Sequence, residues 1–293
     1  MFEVGIGTYS MASLEDMILG TMTLEEKLKR AAELGYRKIE LLAADLECDT
    51  QELLAWAKKY DLTYTSVHAK PTEENVRKMA ELGGTAVIWP MTDFNCRAEA
   101  IEVAQELDAL ADMAEPFGIK VGYHNHNQEF YFDEGKTLLE HLMDNSSKCF
   151  SQLDCGWAQA GGMYPPYFIR KYRNRIISIH VKENSKVIGP GKQSRSRHDT
   201  TPQPGLPNFA VMTDKERQAA LEKVKQTMSD MDMKTNIQCR MGAEESNIDW
   251  LEIRKALNEQ DFEAFWVVER ESFYADRYEC LKDDCDWLKG HIR

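Results

Sequence analysis

Residues 176–183 read Ile-Ile-Ser-Ile-His-Val-Lys-Glu, IISIHVKE, and the alternation from Ile177 to Lys182 decides how the chain is built. Side chains of an extended segment point alternately to opposite faces. Ile177, Ile179 and Val181 therefore share one face, and Ser178, His180 and Lys182 the other. The apolar face is expected to pack on helices. The opposite face, with its imidazole and ammonium, must look into an interior where polar groups meet one another, as on the axis of a closed parallel barrel.

The same parity test extends to three more runs. In KVGYHNH, residues 120–126, it sends Val121 and Tyr123 outward and Gly122, His124 and His126 inward. In SQLDC, residues 151–155, Gln152 and Asp154 point inward, and in WVVERE, residues 266–271, so do Val267, Glu269 and Glu271. Glu40 in IELL shares that parity and is read as pairing with a nearby cation or with solvent. The polar groups stand at the carboxyl ends of their strands, where barrel enzymes place their chemistry.

Each strand-like run leads into a helical pattern. FEVGIGTY precedes TLEEKLKRAAELG, where Thr23 and Glu26 form a capping-box pair and Gly35 stops the helix. RKIELL, LTYTSVH, TAVIWP, IKVGYHNH, FSQLDCGW, IISIHVKE and FEAFWVVERE follow, each with a helical partner. Eight such units predict a single domain over residues 1–293, a (β/α)8 barrel with parallel strands inside and helices outside. A doubly wound open sheet is the alternative. A ninth run, TNIQCRM, is assigned to an insertion between the seventh and eighth strands, because 184–212 reads as loop and 213–232 as a charged helix. That insertion, residues 184–234, lies beside the expected mouth.

Composition narrows the partners. The net charge of −13 repels phosphate backbones, so neither nucleic acid nor an anionic membrane is an expected partner. The start, MFEVGIGTYS, has no basic segment followed by an apolar one, and no apolar run reaches membrane-spanning length. A cytoplasmic protein is expected. The seven cysteines contain no C-x-x-C pair, which suits free thiols.

Several carboxylates aimed at one axis repel one another and need a compensating cation. A divalent metal is the simplest. Glu129, Asp154, His180 and Glu269 give three carboxylates and one imidazole, an oxygen-rich set that favours Mn²⁺, Mg²⁺ or Co²⁺ over a thiolate-type zinc site. Mn²⁺ is the first choice, with Zn²⁺ left open.

The motifs GYHNHNQEF, LDCGW, SIHVKE and WVVERE, in that order, resemble the xylose-isomerase-like TIM-barrel superfamily of sugar and sugar-phosphate isomerases and epimerases, inosose dehydratases and, more distantly, the endonuclease IV group. The resemblance covers essentially the whole chain. It implies a metal held by Glu, Asp, His and Glu from four strands, of which the last three match Asp154, His180 and Glu269. The first falls on Glu129, with His126 as substitute. A glycine-rich motif of relatives appears as MGAEESNIDW, residues 241–250, without its second glycine.

The resemblance implies a metal-dependent isomerase or epimerase acting on a carbohydrate by proton transfer through an enediolate. Glu129 and Glu269 would be the proton-transferring pair, with Lys182 and His126 as further catalytic candidates. His68, His124, Trp89, Trp157 and Glu271 are candidate substrate contacts, although structural roles are the default for His68 and both tryptophans. The alternative is a lyase that expels a β-hydroxyl from the same enolate, as a ketosugar or inosose dehydratase does. An abasic-site nuclease is disfavoured by the acidic balance. Lys192, Arg195 and Arg197 make one loop locally basic, either as a phosphate contact or as a solvated tip. A homo-oligomer is left open.

Overall fold

The computed structural model describes residues 3–201, 212–235 and 239–292. Eight parallel strands close into a barrel: β1 (Gly5–Gly7), β2 (Lys38–Leu42), β3 (Thr63–His68), β4 (Ala86–Trp89), β5 (Lys120–His124), β6 (Phe150–Asp154), β7 (Ile176–Val181) and β8 (Phe265–Val268). Each strand pairs with its sequence neighbours, and β8 closes on β1 through Gly5↔Val267 and Ile6↔Val268. Closure rules out the open sheet.

The sequence explains the alternation of elements. Thr23 Oγ1 accepts from the Glu26 N–H while Glu26 Oε2 accepts from the Thr23 N–H at 2.7 Å, and helix Leu24–Glu33 starts there. It ends before Gly35, whose φ of +98° an L side chain rarely adopts. Val121, Tyr123, Leu153, Ile179, Val181 and Val268 fill the layer between strands and helices, as their parity predicts. The hairpin Phe132–Asp133 with Lys136–Thr137 is too short to be seen in the sequence. The charged helix is found at Asp214–Thr235. Of the ninth run, 236–238 lie outside the described residues, and the barrel closes without it.

One parity reading is corrected. Ser151 pairs with Ile176 but Gln152 pairs with Ser178, so Ile177 is an extra residue in β7. A bulge of this kind re-aims the side chain that carries it. Ile177 accordingly leaves the outer layer and packs with Ala86 and Ile88, with Phe150 against them. Beyond the bulge the expected phase resumes. Gly122 stands over this floor, where a Cβ would come within 2.6 Å of Ile88 Cδ1. Only glycine fits there without moving Ile88.

Two polar devices organise the carboxyl end. Residues 184–201 form a strap that leaves β7 and crosses the loops after β6, β5 and β4. Ile188 and Gly189 donate to the Ala160 carbonyl, each at 2.9 Å, and Asn127 Nδ2 donates to the Gly189 carbonyl at 3.1 Å. Gln193 then accepts from the Phe94 N–H at 3.0 Å. The second device is Glu183, which accepts from Ser246 Oγ and Trp250 Nε1, both at 2.8 Å. That carboxylate ties MGAEESNIDW to the end of β7.

All seven cysteines are free, and no helix among the described residues is long and apolar enough to cross a membrane. Arg270, outward between Glu269 and Glu271, forms a buried pair with Asp284 of the last helix, Nε to Oδ2 2.5 Å and Nη2 to Oδ1 2.8 Å. Breaking a buried pair from one side leaves an uncompensated charge. Asp284→Ala should therefore lower unfolding stability by about 3–5 kcal/mol, measured by denaturant titration. Arg270→Met combined with Asp284→Leu should recover most of that loss.

Candidate active site at the carboxyl end of the barrel

The axis above the apolar floor is polar. Gln152 on β6 is fully buried and stands at its centre. Its Nε2 donates to Glu40 Oε2 at 2.6 Å and to Ser178 Oγ at 2.9 Å, while its Oε1 lies 2.5 Å from His68 Nε2 and 3.1 Å from His124 Nδ1. Ser66 Oγ also donates to Glu40 Oε2, at 2.7 Å. Glu40 Oε1 in turn lies 2.7 Å from His180 Nε2 and 3.3 Å from His68 Nε2. Burial alone would raise the Glu40 pKa, but His68, His180 and these hydrogen bonds outweigh it and hold the carboxyl at about 2. Glu40 thus remains an anion and orients His180 by holding its Nε2.

The other nitrogen of His180 faces the mouth. Its Nδ1 lies 3.0 Å from Glu269 Oε2 and 3.8 Å from Asp154 Oδ2, yet it makes no aligned hydrogen bond. Asp154 Oδ2 likewise makes no aligned hydrogen bond, its charged neighbours being Lys182 Nζ at 3.2 Å and this nitrogen. The other oxygen of Asp154 accepts from the Trp157 N–H at 2.7 Å, fixing the carboxylate at the start of helix Cys155–Ala160. Both atoms are held by charge rather than by aligned hydrogen bonds, and both stand beside a third ligand-type atom, Glu269 Oε2.

Lys182 enters the same space. It is fully buried, and its Nζ lies 2.9 Å from Glu269 Oε1, 2.9 Å from Glu271 Oε1 and 3.2 Å from Asp154 Oδ2. Burial opposes the charge on Lys182, but these three carboxylates outweigh it and raise the pKa well above the ordinary lysine value. Glu269 is pushed the other way: burial would raise it, and Lys182 with His180 hold it well below the usual range. Asp154 is raised to about 6, first by burial, with Lys182 and His180 pulling down and Glu269 pushing up. For His180 burial lowers the pKa, while Glu269 and Glu40 carry it up to about 10. The acids are therefore compensated from within the chain, by an ammonium and an imidazolium. A metal is not needed merely to hold them together.

Gly156 makes room for that ammonium. A Cβ there would stand 2.6 Å from the Lys182 carbonyl, 2.7 Å from its Cβ and 2.8 Å from its Cγ. Trp157 follows, with the Lys182 Nζ 5.0 Å from its ring centroid and the His126 ring 6.2 Å away. His126 Nδ1 is buried without a partner. Burial, then Lys182, lowers the His126 pKa to about 4, so its imidazole is neutral at neutral pH. His124 is lowered too, by burial and then by the neighbouring histidines. Its ring lies 4.8 Å from that of His68, 5.0 Å from His126 and 4.6 Å from His180.

The structure thus brings Asp154, His180, Glu269, Glu271, Lys182, His68, His124, His126 and Trp157 to one place. It does not bring Glu129 or Trp89. Glu129 accepts from the Tyr123 hydroxyl at 3.0 Å and the His126 N–H at 2.8 Å, and Tyr123 belongs to the outer layer. The loop after β5 has turned the Glu129 carboxylate off the axis, where it closes its own turn. Trp89 shares the outer layer, with Lys70 Nζ 4.7 Å from its ring centroid. Parity explains this, since Ile88 takes the inward position.

Tyr9, on the rim after β1, was missed. Burial, then Glu271 and Glu269, raise its pKa to about 12. Its position just beyond a strand end was the available signal. Glu40 was seen to point inward, but its partners lie on strands far away in sequence.

Among the described residues, two sets of side chains have ligand atoms within 4.8 Å of one another: His68, His124 and His180, and Glu40, His180 and Glu269. In both, His68, His124 and Glu40 already bond to Gln152. The atoms without an aligned hydrogen bond are instead Asp154 Oδ2 and His180 Nδ1, beside Glu269. With the Nε2 of His180 on a carboxylate, this donor set fits a divalent ion, because metal-binding histidines commonly hold their second nitrogen that way.

A family profile described as xylose isomerase-like TIM barrel matches residues 28–291. A search of curated protein sequences finds no match. Among solved structures, a sugar phosphate isomerase/epimerase from Parabacteroides distasonis superposes with a TM-score of 0.67 at 16% identity, over 99% of this chain and 94% of that one. The probable 3-DHS dehydratase AsbF from Bacillus anthracis gives 0.63 at 13%, covering all of both chains. An L-ribulose 3-epimerase gives 0.60 at 14%, over 99% of this chain and 94% of that one. At such identities the likeness is one of fold.

Glu129 supplies a pH test of its placement. Its folded pKa is raised from 4.5 to about 7, first by burial and against its hydrogen bonds. Between those values the folded protein keeps a proton that the unfolded chain has released, so this group's contribution is full below 4.5 and lost as pH rises through about 7. Glu129→Gln should flatten that part of the stability profile, read as the thermal midpoint across pH 4 to 8. An unchanged slope would mean that the carboxyl is not buried as described.

Proposed function

The chain belongs to the xylose isomerase-like TIM-barrel family, and on that premise we propose that it is a carbohydrate isomerase or epimerase that works by proton transfer next to a carbonyl. One observation carries the reading. The facing atoms of Asp154, His180 and Glu269 are buried together at the barrel mouth, and two of them lack an aligned partner.

Asp154, His180 and Glu269 would hold a divalent ion, Mn²⁺ by preference for its oxygen-rich surroundings, which supplies positive charge where an oxyanion develops. The protein's own groups then divide the work. Glu269 is kept ionised by Lys182 and His180, so it is ready to accept the carbon-bound proton. Lys182 touches Glu269 and Glu271 and can donate to a substrate hydroxyl without losing contact with both. His126, neutral and with a free Nδ1, is the second proton carrier, in the place first assigned to Glu129. Trp157 offers an apolar wall beside it. Return of the proton to the opposite face gives epimerisation, and return to the adjacent carbon gives isomerisation.

A second reading has its own support. The His126 imidazole, once it has taken the proton lifted from carbon, can pass it to a departing β-hydroxyl that leaves as water, and a structure described as a probable dehydratase shares the fold over its whole length. In D₂O, incorporation of deuterium into a retained carbon indicates proton return, whereas loss of water indicates elimination. Glu269→Gln should lower kcat by roughly 10²–10⁴-fold with a smaller change in KM. Full activity in that variant would sink the assignment.

The metal has a separate test. Lys182 occupies contacts that a cation would otherwise strengthen, so Lys182→Met should tighten Mn²⁺ binding by about tenfold or more, measured by calorimetry. Asp154→Asn should abolish that binding.

A further inference from the structure

We propose that the mouth takes an uncharged polyhydroxy compound, a free sugar or polyol, and discriminates against its phosphate ester. This rests on the reading of the mouth as a carbohydrate site. The argument is the distribution of charge. Glu40, Asp154, Glu269 and Glu271 face one another across Lys182 and His180. Four carboxylates face Lys182, His180 and, beside Glu40, His68, so acids outnumber their basic partners. The carboxylates of Glu40 and Glu271 would remain beside a divalent ion held by Asp154, His180 and Glu269. A phosphate dianion entering this cup meets its own sign, and like charges brought together at close range are a strong filter.

Among the described residues the arginines of the strap are tied to acids, which leaves exposed Lys186 and Lys192 as its cations without an acid partner. Arg195 pairs with Asp93 at 3.3 Å and Asp199 at 3.4 Å. Arg197 pairs with Glu102 at 3.4 Å and also with Glu106, which takes Lys70 at 3.1 Å. Arg97 pairs with Glu134 at 2.9 Å. The basic loop that could have held a phosphate is thus bound to acids of the helix Arg97–Ala114 and of the loop before it. Lys192 lies 5.1 Å from the Tyr131 ring centroid. Arg277 lies 4.0 Å from that of Phe273 and donates to the Ser10 carbonyl. What the cup does offer is hydroxyl chemistry: carboxylate acceptors, the Lys182 donor, the unpartnered Nδ1 of His126 and the Trp157 wall.

The test compares D-glucitol with D-glucitol 6-phosphate, neither of which has a carbonyl to react, by calorimetric titration of the Mn²⁺-supplemented full chain near neutral pH. Glucitol should bind saturably and the ester at least about tenfold more weakly, with the gap narrowing as salt is raised to about 0.5 M. Lys192→Ala and Arg277→Ala should leave the gap unchanged. Equal or tighter binding of the ester would overturn the proposal, as would ester affinity that depends on Lys192 or Arg277, or the absence of saturable binding by either compound. The catalytic reading fails separately. Glucitol binding without deuterium exchange in any ketose would remove catalysis and leave this inference standing. Exchange confined to phosphorylated ketoses would do the reverse.

Discussion

The fully buried Lys182 ammonium, lying between Asp154, Glu269 and Glu271, is the contact on which the rest of the mouth depends. Asp154 and Glu269 are buried carboxylates that rely on it for compensation, and Glu271 reaches it from the exposed rim. The ammonium cannot exist there without them either, since an unpaired buried cation would lose its proton. Each partner therefore sets the protonation state of the others. Glu269 stays ionised because Lys182 and His180 flank it, and His126 is kept neutral first by burial and then by the same ammonium.

A second layer holds that arrangement in register. Gln152 uses both ends of its amide, joining Glu40 and Ser178 on one side to His68 and His124 on the other. Glu40 then fixes His180 through its Nε2. Five strands, β2, β3, β5, β6 and β7, meet through this one amide and its partners, so the orientation of His180 depends on the closure of the barrel. Gly156 adds a steric condition, because its missing side chain is the space occupied by the Lys182 stem.

Much of this was legible in the sequence, for a physical reason. Parity survives from strand to side chain wherever a strand is regular, so Gln152, Asp154, His180, Lys182, Glu269 and Glu271 could be placed on the axis from alternation alone. It fails where the backbone gains a residue or leaves the strand. Ile177 turned inward at a bulge defined by its neighbour's register. Glu129 lies beyond the end of β5, where a turn outweighs alternation and the Tyr123 hydroxyl captures the carboxylate. The compensating charge was also misjudged. Alternation showed that Lys182 points inward, but only the folded distances show that it satisfies three acids together.

The apolar plug of Ala86, Ile88 and Ile177 beneath Gly122 makes the barrel a blind well with one opening. Reactant, product and solvent all have to share that opening. Were the proposed carbohydrate to bind there, a proton lifted from it would find water only past the molecule itself, and transfer back would be favoured over escape, an internal recycling of hydrogen.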